Sequence, residues 1–334
     1  MPLPAALSKA IEQETSRHKL SDLAKAATEL SDRYRNRRQN VERFIATDAH
    51  RSAYVAVRMP ATFAAARAVF AEIRRLTPEM PINSLLDLGA GTGAASWAAV
   101  EVFDELRQIT MVEQDRELVR LGKRLAESST SEALREADWQ TRDLTARAEF
   151  AEHDLIVCSY SLGEIEPGAA RRILKAAWQS AHQALAVIEP GTMKGFETIL
   201  ALRDELIAAG GHIIAPCPHH RACPMTSAGK PDADWCHFAA RFERSSLHRR
   251  IKGAELGYED EKYSYIAASK SPVQPAQARI IRHPMRRAGF TQLQLCAEEG
   301  LAGVIVTRKD KEEWKKARKA DWGDEWDLAL KTGS

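Results

Sequence analysis

The stretch Asn83-Ser84-Leu85-Leu86-Asp87-Leu88-Gly89-Ala90-Gly91-Thr92-Gly93 decides how the rest of the chain is read. Leu85, Leu86 and Leu88 form a short apolar run, the pattern of a parallel strand buried on both faces. Gly89, Gly91 and Gly93 follow as a turn, and Ala94-Ala95-Ser96-Trp97-Ala98-Ala99-Val100 is good helix sequence. The order is strand, glycine turn, helix. Glycine permits the sharp turn and lets a ligand lie against the main chain, while the helix start offers it unpaired N–H groups.

Beyond that helix, Gln108-Ile109-Thr110-Met111-Val112 reads as a second strand ending in Glu113. An acid at that tip can bind the two ribose hydroxyls of a nucleoside lying across the neighbouring strand. A lone G-x-G is common in α/β proteins. The fuller pattern D-x-G-x-G-x-G from Asp87 to Gly93, with Glu113 after the next strand, resembles motif I of class I S-adenosyl-L-methionine-dependent methyltransferases. The dinucleotide fingerprint G-x-G-x-x-G fits less well, because residue 94 is alanine. A nicotinamide or flavin dinucleotide and a cofactor-free remnant fold are the alternatives. The candidate cofactor-binding residues are Asp87, Gly89, Ala90, Gly91, Gly93 and Glu113. Asp143, after the short run Trp139-Gln140-Thr141-Arg142, stands where many methyltransferases place an acid against the adenine amino group.

A chain of 334 residues can bury a sizeable core in two or three domains, and 44% hydrophobic with 28% charged residues is the balance of a soluble protein. No apolar run approaches the roughly 20 residues that span a bilayer, so no membrane partner is expected. Met1 to Leu7 lacks the charged region that opens a signal peptide. Five cysteines, an odd number without an export signal, point to reduced thiols or metal ligands rather than disulfides. The net charge of +2 hides an asymmetry: Lys and Arg against Asp and Glu number 14 to 9 in residues 1–80, 15 to 23 in 81–240 and 11 to 5 in 241–287. Basic segments flanking an acidic centre can form a nucleic-acid footprint, or be ordinary solvated charge.

Residues 5–32 read as one helix, followed by Arg33-Tyr34-Arg35-Asn36-Arg37-Arg38, where Arg could meet phosphates and Tyr a base, or all could be solvated. A second helical stretch over 41–58 adds Arg43, Arg51 and Arg58. Met59-Pro60-Ala61-Thr62-Phe63 is expected to break it before an apolar helix at 63–76. Residues 82–210 alternate strand and helix patterns, which implies a parallel sheet covered by helices. Asp154–Ser159 and Ala184–Glu189 are further strands, Trp139–Asp143 a short edge strand, and a helix is expected near 194–209. Cys158, inside an apolar strand, reads as a small core residue. Tyr160-Ser161-Leu162-Gly163-Glu164 should face the methyl donor, beyond a strand end. It lacks the Asn/Asp-Pro-Pro-Tyr/Phe of amino-methyltransferases, so exocyclic-amine methylation is not supported; Tyr160 and Glu164 would shape the pocket.

The character then changes. Pro216-Cys217-Pro218-His219-His220-Arg221-Ala222-Cys223-Pro224 precedes Asp234-Trp235-Cys236-His237-Phe238, a C-x5-C-x12-C spacing, with Cys296 much later. Thiolates suit zinc or an iron–sulfur cluster, and spacing alone chooses neither. His219, His220 or His237 could replace one thiolate, and unligated cysteines are the plain alternative. On a helix over 241–252, Arg241, Arg244, His248 and Lys252 fall on or near one face. With Arg249 they make the best phosphate-binding candidates. Glu259-Asp260-Glu261 reads as a charged turn into a strand, and runs at 290–296 and 303–308 as two strands completing the main sheet. Residues 310–330 read as a charged helix carrying Trp314, Trp322 and Trp326.

Several stretches together carry a family likeness. They are Tyr54 to Phe63, Leu86 to Gly93, Tyr160 to Glu164, Ala215 to His219 with Cys223-Pro224, Asp234 to Phe238, and Glu261 to Tyr265. Over roughly residues 30–308 the sequence resembles the methyltransferase-like assembly factors of the mitochondrial small ribosomal subunit and their bacterial homologues. The resemblance implies an S-adenosylmethionine fold, association with the small subunit and its rRNA, and a 4Fe–4S cluster on Cys217, Cys223, Cys236 and Cys296. It leaves methyl transfer open. It implies a bacterial cytoplasmic or, in a eukaryote, a mitochondrial matrix protein. The expected architecture is a mixed α/β Rossmann-like class I methyltransferase sheet with a helical N-terminal region and a cysteine-rich metal-binding insertion. The expected borders are 1–80 helical, 81–210 cofactor-binding, 211–262 cysteine-rich with the basic helix, 263–309 sheet-completing strands and 310–334 tail. The rival readings are a non-catalytic RNA-binding assembly factor and a zinc-stabilised binding module.

Overall fold

The computed structural model describes residues 1–36, 45–225 and 234–327. Its centre is an eight-stranded sheet made of β1 (Ser84–Leu88), β2 (Gln108–Glu113), β3 (Asp138–Thr141), β4 (His153–Ser159), β5 (Ala181–Pro190), β6 (His212–Ala215), β7 (Phe238–Glu243) and β8 (Tyr258–Ser269). The strand order is β3-β2-β1-β4-β5-β8-β6, with β7 also on β8. The first five strands in that order pair in parallel. β8 runs antiparallel to β5, β6 and β7. This is the mixed α/β, Rossmann-like sheet that the glycine stretch predicts.

The apolar runs work because alternate side chains enter two separate cores. Leu85, Ile109, Leu155 and Val157 face the N-terminal helices, whereas Leu86, Leu88, Val112, Ile156 and Cys158 face the helices Pro167–Ser180 and Met193–Ala208. Cys158 is fully buried, as its apolar strand requires. The strand order reverses beside β1, which leaves a crevice at the carboxyl ends of β1 and β4 where open α/β sheets bind ligands.

The N-terminal region differs from the sequence reading in its breaks. Residues 5–32 are not one helix: Ala5–Thr15 and Leu20–Asn36 are separated at Ser16–Lys19. Helix Asp48–Val57 starts at the Thr47 cap, whose hydroxyl accepts from His50 N. The Met59–Phe63 stretch does not break a helix but opens one, Met59–Leu76, with Pro60 in the first turn. Proline is tolerated there because its missing N–H has no intrahelical partner in any case. Arg37, Arg38 and Arg43 lie outside the described residues.

The larger correction concerns the C-terminal third. Residues 290–296 and 303–308 do not complete the main sheet; β7 and β8 do. They pair as a hairpin in a second, five-stranded sheet of β9 (Ala278–Ile280), β10 (Met285–Arg286), β11 (Phe290–Ala297), β12 (Gly300–Thr307) and β13 (Glu325–Trp326). Leu293, Leu295, Val306 and Trp326 form its own core, covered by helix Lys311–Lys319. The tail is thus a short helix and a strand, and residues 328–334 lie outside the described residues. Glu259, Asp260 and Glu261 are not a turn but lie inside β8. Arg279 on β9, 1% exposed, joins the two ends of the fold by donating to Glu72 of helix Met59–Leu76, to Pro216 O and to Gly323 O. Among the described residues no helix is long and apolar enough to cross a membrane.

Candidate functional site

The glycine turn sits at the tip of β1. Gly89, Gly91 and Gly93 have φ of +76°, +57° and +85°, a region that L side chains rarely adopt. Gly93 caps the helix Ala94–Ala99. Asp87, 1% exposed, accepts from Ser96 Oγ at 2.9 Å through Oδ2, and its Oδ1 has no partner. Burial raises its carboxyl to about 7, against the opposing pull of the Ser96 hydrogen bonds. A buried carboxylate with one idle oxygen, beside a helix start, is suited to an ammonium group.

Glu113 stands at the end of β2 as expected. Its Oε2 accepts from Gly91 N at 3.0 Å and its Oε1 from Asp115 N at 2.8 Å. These bonds fix the carboxylate on the glycine turn, and each oxygen keeps lone-pair capacity for a hydroxyl donor. Ala90 is buried beside it. Asp143 is exposed, and its Oδ1 accepts from the backbone and hydroxyl of Thr145.

Further residues frame this crevice. Tyr54 and Arg58, four apart on the N-terminal helix region, lean over it: the Tyr54 hydroxyl is 3.5 Å from where a Cβ on Gly91 would stand. Tyr160 follows β4 with φ of +56°, and its hydroxyl donates to Glu261 Oε1 at 3.0 Å; Arg58 Nη2 lies 3.5 Å from the same oxygen. Glu189 accepts from Gly163 N at 2.9 Å and holds the loop that carries Glu164. Sequence reading put Tyr160 here. It gave no place in the site to Glu261, which enters from a strand a hundred residues away in the chain.

The second feature is a small cavity of about 40 Å³ whose lining includes Cys217, Cys223, Cys236 and Cys296. All are free thiols. The loop after β6 brings Cys217 and Cys223, the lead into β7 brings Cys236, and β11 brings Cys296. Burial, then the neighbouring Cys217, pushes Cys236 well up and Cys296 to about 12. Burial also raises Cys223. His219 Nε2 lies 3.8 Å from Cys296 Sγ. Two buried guanidiniums brace the wall: Arg203 donates to His219 O and Arg221 O, and Arg279 to Pro216 O. Arg203 Nε and Arg279 Nη2 are left without partners. As they stand, no three Cys, His, Asp or Glu among the described residues converge closely enough to hold a metal ion.

The expected single basic helix over 241–252 is not found. Arg241 lies in β7, Arg244 in a loop, and the helix is only Ser246–Lys252. Arg241 pairs with Asp260 at 2.7 Å, while Arg244, Lys252 and buried His248 converge on Glu259 at 3.0, 2.8 and 3.3 Å. Asp260 and Glu259 of β8 therefore hold three of the four proposed phosphate contacts in ion pairs. Arg249 is exposed and has no acidic partner among the described residues.

Against known proteins, the family model described as mitochondrial small ribosomal subunit Rsm22 matches residues 48–327. The chain belongs to the Rsm22 family. A human relative, "Ribosome assembly protein METTL17, mitochondrial", is 26% identical over 293 residues, covering 81% of this chain and 61% of that protein. The fission-yeast "Rsm22-cox11 tandem protein 2, mitochondrial" (Schizosaccharomyces pombe) is 22% identical, covering 86% of this chain and 44% of that protein. The chain thus spans about six-tenths of the first relative's length and under half of the second's. Among solved structures, magnesium protoporphyrin IX methyltransferase from Synechocystis PCC 6803 with bound SAH superposes with a TM-score of 0.42 at 12% identity, covering 72% of this chain and 94% of that one.

Proposed function

We propose that this Rsm22-family chain binds S-adenosylmethionine at the glycine turn and acts in assembly of the small ribosomal subunit, on or through its rRNA. The observation that carries the cofactor reading is the idle Asp87 Oδ1, buried beside three left-handed glycines. Asp87 would take the ammonium of the methionine portion, the Gly89 to Gly93 main chain would lie along it, Glu113 would hold the ribose diol, and Asp143 would stand near the adenine. The cofactor supplies an electrophilic methyl group when bound. Tyr54 would close the crevice from above.

The same reading gives Cys217, Cys223, Cys236 and Cys296 a 4Fe–4S cluster, with zinc as the alternative. Its role would be to tie the loop after β6, the start of β7, and β11 into one unit. The mitochondrial names of the relatives support a mitochondrial matrix site in a eukaryote; in a bacterium the chain would act in the cytoplasm.

A second, non-catalytic reading is favoured by Tyr160, whose hydroxyl is already committed to Glu261. Protein purified without oxygen decides the metal: matching iron and sulfide support the cluster, one zinc the alternative. Calorimetry with S-adenosylmethionine and transfer of labelled methyl to small-subunit RNA test the rest. Binding without transfer, together with ribosome association unchanged by Asp87→Ala, would establish the non-catalytic reading. No S-adenosylmethionine binding would remove the cofactor claim.

A further inference from the structure

β11 presents two different faces. Leu293, Leu295 and Ala297 point into the core of the second sheet, while Gln292, Gln294 and Cys296 alternate with them on the other side. Cys296 lines the cysteine cavity, whereas Gln292 and Gln294 line a separate open cleft of about 380 Å³ with Arg282, His283, Met285 and Trp322. That size is within the range of small-ligand sites and exceeds a single heterocyclic base.

The cleft is built rather than incidental. Trp322 is pinned by its neighbour Gly323, whose N donates to Ile280 O at 2.9 Å and whose carbonyl accepts from Arg279 at 2.8 Å. Its ring meets His237 at 4.8 Å and His283 at 4.7 Å, both edge-on. Its Nε1 has no acceptor, a buried donor that the fold itself does not use. Arg282 donates to Trp235 O at 3.0 Å and pairs with Asp234. Met285 is 44% exposed, an apolar floor left to solvent.

The chemistry selects the ligand. An indole and a thioether suit the face of a flat heterocycle. Two neighbouring amides each carry donors and an acceptor, which is what the edge of a nucleobase needs. Arg282 pairs with Asp234 and His283 lies 3.6 Å from Asp321, so the charge left for a phosphate is that of Arg287. Arg287, next to the cleft in sequence, is exposed and has no acidic partner among the described residues. Bases stacked inside an A-form duplex could not enter, whereas a splayed single-stranded base could.

We propose that this cleft takes one unpaired base of an RNA strand, packed on Trp322 and Met285 and read by Gln292 and Gln294, with Arg287 meeting a flanking phosphate. The proposal rests on the RNA reading above and gives it a location away from Arg241, Arg244 and Lys252.

The test uses the full chain with its metal content as purified, and labelled 12-nucleotide oligo(A), oligo(U) and oligo(C) RNAs followed by anisotropy. The double variant Gln292→Ala with Gln294→Ala should bind the preferred oligomer about tenfold more weakly, with unchanged salt slope. Arg287→Glu should reduce that slope by about one. Trp322→Phe should stay near wild type and Trp322→Leu lose about tenfold. In the unmodified protein, 4-thiouridine RNA should cross-link to the peptide spanning 282–294, a readout independent of any variant's folding. Wild-type binding with an unaffected double variant and cross-links elsewhere would overturn the cleft while leaving the RNA reading intact. Wild type that binds no RNA would overturn both. Full displacement of the oligomer by free AMP, with no salt dependence, would make this a mononucleotide site and overturn the strand proposal.

Discussion

A Cβ placed on Gly89 would stand 2.5 Å from the Cβ of Ser161, which in turn donates to Leu88 O at 2.9 Å. The turn after β1 and the loop after β4 are therefore in backbone-close contact, with no room between them for a methyl group. Gly89→Ala adds that clash to a left-handed φ of +76°, a strain of about 1–3 kcal/mol. The expected outcome is a lower melting temperature and at least tenfold weaker S-adenosylmethionine binding by calorimetry. Wild-type affinity in this variant would place the cofactor elsewhere.

Asp87 makes the cofactor-free protein sensitive to pH. Its folded carboxyl lies near 7 against an ordinary 3.8. Below the ordinary value both folded and unfolded chains are protonated there, and nothing is lost. As pH rises from about 4 to 7 the unfolded chain ionises first and the fold loses stability, by at most about 4 kcal/mol. Asp87→Asn removes this loss. The melting temperature of the variant should gain on wild type across that window, and a pH-independent difference would show that the carboxyl is not perturbed.

The cysteine cavity makes its own prediction for metal-free protein. Cys296 at about 12, three units above an ordinary thiol, carries roughly a thousandth of the usual thiolate at neutral pH. Iodoacetamide should therefore modify Cys236 and Cys296 far more slowly than a model thiol, as read by mass spectrometry over time. Metal loading would then release protons on binding. Rapid alkylation of both at pH 7 would contradict the buried arrangement.

Glu259 gathers the charges that sequence alone offered to RNA. Burial works against its ionised form, yet hydrogen bonds from His248, Lys252 and Arg244 prevail and hold it well below the usual range. That stability is present above the ordinary carboxylate value and fades as pH falls toward the folded one. Glu259→Gln should cost roughly 1–3 kcal/mol at pH 7 and flatten the acid limb of the stability profile. Charge reversal at Arg249 should lower the salt slope of RNA binding more than reversal at Arg241, whose partner is Asp260.

Local pattern made much of this fold legible. The triple-leucine run, the glycine turn and Glu113 stand where the strand–turn–helix rule puts them, because each is determined by residues within thirty positions. Cys217, Cys223, Cys236 and Cys296 were named together only through family likeness, and they line one cavity. What pattern could not supply were partners distant in sequence. Glu261 and Tyr160 meet across the chain, and acids of β8 pair with Arg241 on β7 and with Lys252 on the helix Ser246–Lys252. The hairpin β11–β12 has the alternation of any half-buried strand pair, and nothing in that alternation says which sheet it joins.

Arg279 and Glu72 are 207 residues apart in sequence yet bonded in the fold. Translation runs from the N-terminus, so the helix bearing Glu72 emerges well before its buried counter-charge exists. At about 5–20 residues per second the wait is on the order of 10–40 s. During that interval the alanine-rich face of Met59–Leu76 has neither β8 nor Arg279 to cover it. The contact between Glu72 and Arg279 can close only once the chain has been made past residue 279.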